Sequence, residues 1–189
     1  MNITDAISII KEKINFDSKK PFLIAIDGRC AAGKTTFANN LKQEFNCNII
    51  HMDHFFLRTE QRTKERYEEP GGNIDRKRLI DEVMIPLIQG LPFSYQVFDC
   101  KLMTLSEKIH IEPKAVTIIE GSYSCHPCLK DYYDLRVFLN IDKERQINRI
   151  IQRNGIESAE IFRNKWIPLE ERYFEAYDVM SCCDLVVEA

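Results

Sequence analysis

The sequence predicts an α/β fold in which a parallel sheet of five strands lies between helices on both faces. Two observations predict it. Apolar segments of strand length alternate along the chain with segments of helical character, which is typical of βαβ units. A glycine-rich segment also joins the first predicted strand to the helix that follows it. Because 189 residues suit one domain with a single core, we expect a single domain over residues 1–189.

Periodicity, capping residues and turn signals predict the individual elements. The strands are short apolar runs, expected at 22–27, 48–53, 115–120, 135–141 and 184–188. An edge strand or hairpin arm is expected at 93–99, and the charged segment 55–72 is expected to be mostly loop. Asp75 and Asp142 are expected to cap helices, and a late helix is expected to start at Pro168, since proline favours the first helical turn. The other helices are expected at 4–14, 36–45, 75–89 and 142–155.

Charge and composition argue against several classes of function. A net charge of −3 gives no electrostatic argument for nucleic-acid binding. No apolar run approaches about 18 residues, and the N-terminus does not resemble a signal peptide, so we expect no membrane association and a cytoplasmic location. Basic residues nevertheless cluster in two segments, which suits a small anionic substrate. These residues are Arg58, Arg62, Lys64 and Arg66, then Arg145, Arg149 and Arg153.

The cysteines indicate reduced thiols rather than a disulfide framework. Their number, seven, is odd, and the chain has no predicted secretion signal. Cys125 and Cys128 form a C-x-x-C pair, and Cys182 and Cys183 are adjacent. A zinc or redox site built from these residues is left open as an alternative.

The segment from Gly28 to Thr35 reads Gly-Arg-Cys-Ala-Ala-Gly-Lys-Thr and matches the Walker A pattern of a phosphate-binding loop. Gly28 and Gly33 allow a tight turn close to a polyphosphate, and the loop N–H groups and the helix N-terminus face the anion. Lys34 is expected to reach the β- and γ-phosphates, and the Thr35 hydroxyl is expected to hold Mg²⁺. The predicted ATP contacts are Gly28, Arg29, Cys30, Ala31, Ala32, Gly33, Lys34, Thr35 and Thr36.

Two carboxylates stand at the ends of predicted strands. Asp53 closes the second strand and Glu120 closes the third. Ligands bind beyond the carboxyl ends of the strands in an open α/β sheet, so both side chains are expected to face the phosphate loop. Phosphoryl transfer needs Mg²⁺ and a carboxylate that orients or deprotonates the attacking hydroxyl. Asp53 and Glu120 are therefore the candidates for these two roles, and Thr35 is the other candidate Mg²⁺ ligand.

These motifs resemble those of the uridine kinase-like family of P-loop kinases, a group that includes kinases of nicotinamide riboside, pantothenate and ribulose phosphate. Asp53-His54-Phe55-Phe56 is similar to the family's Asp-x-Phe-[Tyr/Phe] segment, and Glu120-Gly121 is similar to its Glu-Gly element. The segment 149–154 resembles the lid helix, which reads Arg-Arg-x-x-Arg-Asp, with Ile150 replacing the middle arginine. The resemblance implies a three-layer P-loop NTPase fold, a sheet of order 2-3-1-4-5 and a helical lid at about 142–165.

The resemblance also implies roles for individual residues. Lys34, Asp53, Arg149 and Arg153 are the implied catalytic residues, with Asp53 as general base and the two arginines over the transferring phosphate. Two segments stand where the family binds its acceptor, although residues 100–104 differ from the His-Ser-Arg-type run of uridine and cytidine kinases. The candidate acceptor contacts are Tyr67, Asp75, Arg76, Tyr95 and Asp99.

The sequence therefore predicts an ATP- and Mg²⁺-dependent kinase that phosphorylates a hydroxyl of a small metabolite, with a nucleoside as the leading acceptor. One alternative is a kinase of the same fold for a non-nucleoside alcohol, such as a vitamin precursor or a sugar acid. The other is a nucleotide-dependent regulatory ATPase. The identity of the acceptor, the choice between ATP and GTP, and the oligomeric state are left open by the sequence.

Overall fold

A five-stranded parallel sheet forms the centre of the computed structural model, which describes residues 1–16, 18 and 20–189. Within those residues the strands are β1 (Phe22–Gly28), β2 (Cys47–His51), β3 (Phe93–Asp99), β4 (Thr104–Ile111), β5 (Val116–Glu120), β6 (Leu135–Asn140) and β7 (Leu185–Glu188). The α-helices are α1 (Ile3–Lys13), α2 (Lys34–Glu44), α3 (Lys64–Glu68), α4 (Arg76–Leu79), α5 (Ile85–Ile88), α6 (Lys143–Asn154), α7 (Ile156–Ile161) and α8 (Ile167–Tyr177).

The strand order of the sheet is β2-β5-β1-β6-β7, and every neighbouring pair is parallel. β3 and β4 pair antiparallel in a separate hairpin. When the five sheet strands alone are numbered, this order is the expected 2-3-1-4-5, and the predicted fold class is confirmed. β5 is buried at every position, because helices cover both faces of the sheet, and its sequence is accordingly an apolar run rather than an alternation.

Two separate hydrophobic clusters lie on the two faces of the sheet, since successive strand residues point to opposite sides. On one face α1 and α2 pack through Ile10 and Phe37. On the other face the helical segment after Asp75, the hairpin and α8 pack through Val83, Tyr95 and Tyr173. The resulting three layers leave the carboxyl ends of the strands as an open edge. Within the described residues, no helix is both long and apolar enough to cross a bilayer.

The predicted caps are confirmed at two helices. Asp75 accepts a hydrogen bond from the Arg78 N–H at 3.1 Å, and Asp142 accepts one from the Arg145 N–H at 2.9 Å. Each satisfies a backbone donor that has no partner within the first helical turn. Gly155 ends α6 with a φ of +83°, as its position after the last polar turn predicts.

The second strand is shorter than predicted. β2 ends at His51, and Met52–Phe55 forms a 3₁₀ turn, so Asp53 lies two residues beyond the strand and does not close it. Met52 and Phe55 are fully buried on this turn. Their apolar character continues the strand pattern in the sequence, although their spacing of three fits a turn of helix better than a strand.

The last helical region begins earlier than predicted. Residues 156–177 are helical through α7, a π-helical segment (Phe162–Trp166) and α8, so Pro168 lies within a helix and not at its start. Proline has no N–H to donate to the preceding turn and clashes with its carbonyl in a regular α-helix. The π-helical segment just before Pro168 relieves this conflict. Pro86 follows the π-helical segment Ile80–Met84 in the same way.

Candidate active site

The glycine-rich loop connects β1 to α2, as the sequence predicts. Gly33 caps α2 with a φ of +92°, a left-handed conformation that glycine adopts without strain. Gly28 has a φ of +132°, and a Cβ on it would lie 2.1 Å from the Leu139 carbonyl oxygen. The close approach that requires Gly28 is therefore to the neighbouring strand β6, whereas the expected neighbour was a polyphosphate.

Lys34 begins α2, and its side chain folds back over the loop. Its Nζ donates to the carbonyl oxygens of Gly28 at 2.6 Å and of Arg29 at 3.0 Å. These neutral acceptors bind an ammonium group less strongly than a phosphate does. The side chain is therefore held at the loop in a position from which it can exchange the carbonyls for an anion.

A cleft of about 980 Å³ opens along the loop. The predicted ATP contacts from Cys30 to Thr36 line it, whereas Gly28 and Arg29 do not. The predicted residues from other segments that line it are Asp53, Tyr67, Glu120, Arg149 and Arg153. The lining also includes residues that sequence reasoning did not select for the site, among them Arg62, Asn73, Cys100, Met103, Trp166 and Glu170.

Glu120 brings the end of β5 to the start of α2. Its side chain is almost fully buried, and Oε1 accepts a hydrogen bond from the Thr35 hydroxyl at 3.0 Å. The same oxygen contacts Nδ1 of His51 at the end of β2. This contact raises the pKa of His51, because the carboxylate favours the protonated ring. Sequence reasoning did not select His51, although it ends a strand beside the two predicted carboxylates.

Asp53 stands in the cleft without a protein partner. Among the described residues, none makes a hydrogen bond or ion pair with its carboxylate, which is accessible to solvent although protein surrounds it. Desolvation in the cleft raises the pKa of Asp53, and the charge of Glu120 raises it further, whereas Lys34 and His51 lower it. A free carboxylate with a raised pKa is suited to accept a proton from a hydroxyl group.

Side chains of the predicted lid helix α6 contact the backbone of the loop. Arg149 donates from Nη1 to the Ala31 carbonyl oxygen at 3.2 Å. Gln146, one turn earlier, donates from Nε2 to the Cys30 carbonyl oxygen at 3.1 Å. Arg153 lines the cleft, and its guanidinium is solvent-exposed. Both predicted lid arginines therefore lie at the cleft, and Gln146 is a contact that the sequence did not indicate.

Asp27 is a third carboxylate at the end of a strand, and sequence reasoning did not select it. It is fully buried and accepts hydrogen bonds from the N–H groups of Gly28 at 2.7 Å and Cys125 at 2.9 Å. The Tyr173 hydroxyl donates to it at 2.9 Å. Burial raises the pKa of Asp27, and these hydrogen bonds, together with the Lys34 charge, lower it by less. Asp27 thus joins β1, the loop after β5 and α8 beneath the site.

Two glutamates of α8 hold the start of the loop. The Arg29 guanidinium forms a two-point ion pair with Glu171, at 2.8 and 3.0 Å, and so points away from the cleft. Glu170 is almost fully buried and accepts from the Cys30 N–H at 2.9 Å. Burial, followed by the charge of Glu170, raises the pKa of the Cys30 thiol to about 12. Neither glutamate was selected for the site from the sequence.

The five candidate acceptor contacts lie in different environments. Tyr67 lines the cleft. Asp75 caps α4, and Arg76 pairs with Glu69 and contacts His126. Tyr95 is buried in the hydrophobic cluster, and Asp99 accepts backbone N–H groups in the turn of the hairpin. The structure therefore brings Tyr67 to the site and engages the side chains of the other four elsewhere.

The cysteine pairs do not form a metal site in the part of the chain that the structure describes. No group of three or more His, Cys, Asp or Glu side chains there is arranged to hold a metal ion. Cys125 contacts Cys183, with 3.7 Å between the sulfur atoms, and Cys128 contacts His126. All seven cysteines are free thiols.

Comparison with known proteins gives a consistent result. A model of the Phosphoribulokinase / Uridine kinase family matches residues 23–158. The uridine kinase of Oceanobacillus iheyensis is 30% identical over 146 residues, which cover 72% of this chain and 69% of that protein. The uridine kinase of Bacillus subtilis is 30% identical over 146 residues, covering 72% and 68%. A structure described as a possible uridine kinase from Bacillus stearothermophilus superposes with a TM-score of 0.73 at 21% identity, covering 99% of this chain and 100% of that one, and is evidence for the fold alone.

Proposed function

The chain belongs to the phosphoribulokinase/uridine kinase family and is a phosphotransferase with a nucleotide donor, and we propose that it transfers the γ-phosphate of ATP, with Mg²⁺, to a hydroxyl of a small metabolite. A nucleoside is the leading acceptor class, because the relatives named above are uridine kinases. The observation that carries the proposal is one cleft that holds the phosphate loop, the Thr35–Glu120 contact and the unpartnered Asp53.

The residues present fit a magnesium ion. Thr35 and Glu120 are already 3.0 Å apart, and both offer the oxygen ligands that Mg²⁺ prefers. Asp53 adds a second carboxylate. Desolvation raises its pKa and repulsion from Glu120 raises it further, and a cation would relieve that repulsion. We propose that Thr35, Asp53 and Glu120 hold Mg²⁺, directly or through water. When bound, the ion neutralises charge on the phosphate oxygens.

In the proposed mechanism, the loop from Gly28 to Thr36 binds the polyphosphate through its N–H groups and the N-terminus of α2. Lys34 leaves the loop carbonyls and binds the transferring phosphate. Asp53 accepts the proton of the acceptor hydroxyl as that oxygen attacks the γ-phosphorus and the bond to the β-phosphate oxygen breaks. Arg149 and Arg153 bind the transferring phosphate from the lid, at about 142–165, and help to exclude water from the cleft.

An acceptor other than a nucleoside is the second candidate, and one observation favours it. Four of the five residues expected to contact a nucleoside have their side chains engaged away from the cleft. Tyr67 stays a candidate acceptor contact. The hairpin turn contributes Cys100 and Met103 to the cleft instead, and neither side chain supplies the hydrogen bonds that distinguish one base from another.

An ADP-release assay with MgATP tests the proposal, using a panel of nucleosides, nicotinamide riboside, pantothenate and simple sugars. Stimulation by one acceptor, lost in Lys34→Ala, would support a kinase and name its acceptor. Slow ATP hydrolysis that no acceptor changes would instead favour a regulatory ATPase. The same assay with MgGTP measures the preference for the donor base.

A further inference from the structure

Arg62 differs from every other basic residue of the segment between Leu57 and Leu79. Seven basic residues lie between Leu57 and Leu79, and six of them have a carboxylate within 4.0 Å. The six pairs are Arg58–Glu60, Lys64–Glu68, Arg66–Glu69, Arg76–Glu69, Lys77–Asp81 and Arg78–Glu82. For Arg62 no such carboxylate occurs among the residues that the structure describes. Arg62 is also the one member of this set that lines the cleft.

The Arg62 side chain is held in a defined orientation. Its Nε–H donates to the Leu57 carbonyl oxygen at 2.9 Å. Its guanidinium carbon lies 5.5 Å from the ring centroid of Phe98, a residue that is 2% exposed on the hairpin. A guanidinium has five N–H donors, and in the described part of the chain only this one has a partner. The remaining N–H groups form the planar fork that binds a carboxylate or a phosphate at two points.

Arg62, Asp53 and Cys100 all line the cleft. Both charges act on Cys100 in the hairpin turn: burial raises the pKa of that thiol, Asp53 raises it further, and Arg62 lowers it. The unpaired guanidinium and the proposed base therefore face the same cleft. A half-buried cation without a counter-charge is costly, whereas the six paired residues avoid that cost.

Building on the kinase function proposed above, we propose that Arg62 binds an anionic group of the acceptor. The acceptor, whether a nucleoside derivative or another alcohol, carries a phosphate or a carboxylate besides the hydroxyl that is phosphorylated. The guanidinium holds that group at a fixed distance from Asp53 and so selects which hydroxyl reaches the base. A neutral nucleoside would leave the guanidinium without a counter-charge when the lid excludes water.

The test compares neutral and anionic acceptors on the full chain and its variants. Ribose and uridine are the neutral probes, ribose 5-phosphate is the phosphate probe, and gluconate is the carboxylate probe. The variants are Arg62→Ala, Arg62→Lys, and Lys64→Ala as a control. Lys64→Ala removes the same charge two residues away, from a side chain that is 83% exposed and outside the cleft. Thermal melts of all variants establish that each is folded.

We expect an anionic probe to be the better acceptor for the wild-type protein. Arg62→Ala is expected to lower kcat/KM for that probe by about 10- to 100-fold, mostly through KM, with KM for MgATP unchanged. Arg62→Lys should recover part of the loss, and Lys64→Ala should match the wild type. Whichever of ribose 5-phosphate and gluconate responds identifies the anion as phosphate or carboxylate. If uridine or ribose is preferred and Arg62→Ala affects neutral and anionic probes equally, the inference is overturned while the kinase proposal stands.

A binding measurement decides the inference if no probe stimulates ADP release. Calorimetry on protein saturated with MgADP keeps the anionic probes out of the phosphate loop. Weaker binding of ribose 5-phosphate or gluconate by Arg62→Ala than by Lys64→Ala would support the anion site even though the kinase proposal had failed with these acceptors. Equal binding by both variants, or no binding of either anion by the wild type, would overturn it.

Discussion

Replacing Asp53 by asparagine separates the catalytic role proposed for this residue from any role in folding. The side chain is accessible within the cleft, and no described residue makes a hydrogen bond or ion pair with its carboxylate. Asparagine has nearly the same shape but cannot accept the proton of an attacking hydroxyl. The substitution therefore removes the proposed base without removing a contact that holds the fold together.

Asp53→Asn should lower the activity of the protein without lowering its stability. A positioned general base contributes about 10²- to 10⁴-fold to a rate, so kcat of Asp53→Asn should fall by that factor, or about 3–5 kcal/mol of activation free energy. The pKa of Asp53 is raised in the folded protein, so the stability it contributes is present below the unfolded pKa and is lost as the pH rises through the folded one. Ionised Asp53 thus destabilises the fold at neutral pH, and asparagine should leave the melting temperature equal to or above that of the wild type.

The assay is ADP release with a true acceptor, measured from acidic to neutral pH beside urea unfolding of the same proteins. Wild-type kcat should decline as the pH falls through a pKa above the ordinary aspartate value of 3.8, and Asp53→Asn should lose this dependence. Asp131→Asn, which changes an exposed carboxylate outside the cleft, should resemble the wild type. Turnover of Asp53→Asn within about tenfold of the wild type would refute the base assignment, since a base contributes at least about 10²-fold.

Three further substitutions test the loop and the residues beneath it. Gly28→Ala would place a Cβ 2.1 Å from the Leu139 carbonyl oxygen at a φ of +132°. The free energy of unfolding in urea should therefore fall by more than about 3 kcal/mol. A smaller fall would mean that β6 can move away from residue 28. Lys34→Ala should lower kcat/KM about 10²- to 10³-fold in the ADP-release assay with the urea midpoint little changed; unaltered turnover would exclude its proposed role. Asp27→Asn turns an amide N–H toward a group that now donates a hydrogen bond to Asp27, such as the Tyr173 hydroxyl. This should lower the free energy of unfolding in urea by about 1–3 kcal/mol. Wild-type stability would mean that the hydrogen bonds around residue 27 rearrange without cost.

The fold and the phosphate loop were predictable because their signals are local. Apolar runs separated by amphipathic segments specify buried strands and covering helices, and the Walker A pattern between them specifies its own backbone. The errors fall where local patterns are ambiguous. Met52 and Phe55 look like a continuation of β2, although they are buried by a 3₁₀ turn. Pro168 looks like a helix start, although the preceding π-helical segment allows it inside a helix.

The carboxylates at the strand ends show how far positional reasoning reaches. The rule that such residues gather at one edge of a parallel sheet led to Glu120 and, in spite of the error in the bounds of β2, to Asp53. The same rule applies to Asp27 at the end of β1, but that side chain is buried beneath the site and accepts hydrogen bonds from four donors in three parts of the fold. Spacing along the chain does not distinguish a carboxylate that faces a cleft from one that accepts backbone N–H groups under it.

The acceptor contacts were harder to predict because pairing across the hairpin and between loops decides them. Phe93 and Tyr95 are two residues apart on β3, and this spacing places both side chains on the buried face of the strand. A register shift between Gln96 and Phe98 then interrupts the regular pairing of the hairpin. Arg62 was part of a basic cluster in the sequence, and only the ion pairs of its neighbours in the fold distinguish it from them.

The phosphate loop is held by two helices that lie more than a hundred residues away in the sequence, and one of them belongs to the proposed lid. Gln146 of α6 binds the Cys30 carbonyl oxygen, and Glu170 of α8 binds the Cys30 N–H. An amide that donates to Glu170 is not free to donate to a phosphate, so the anion must either use the other loop N–H groups or displace this carboxylate. In the second case α8 loses its Glu170 contact with the loop when the nucleotide binds. Because α7 and the following π-helical segment connect α6 to α8, the proposed closure of the lid over the cleft and the binding of the donor act on the same short piece of backbone.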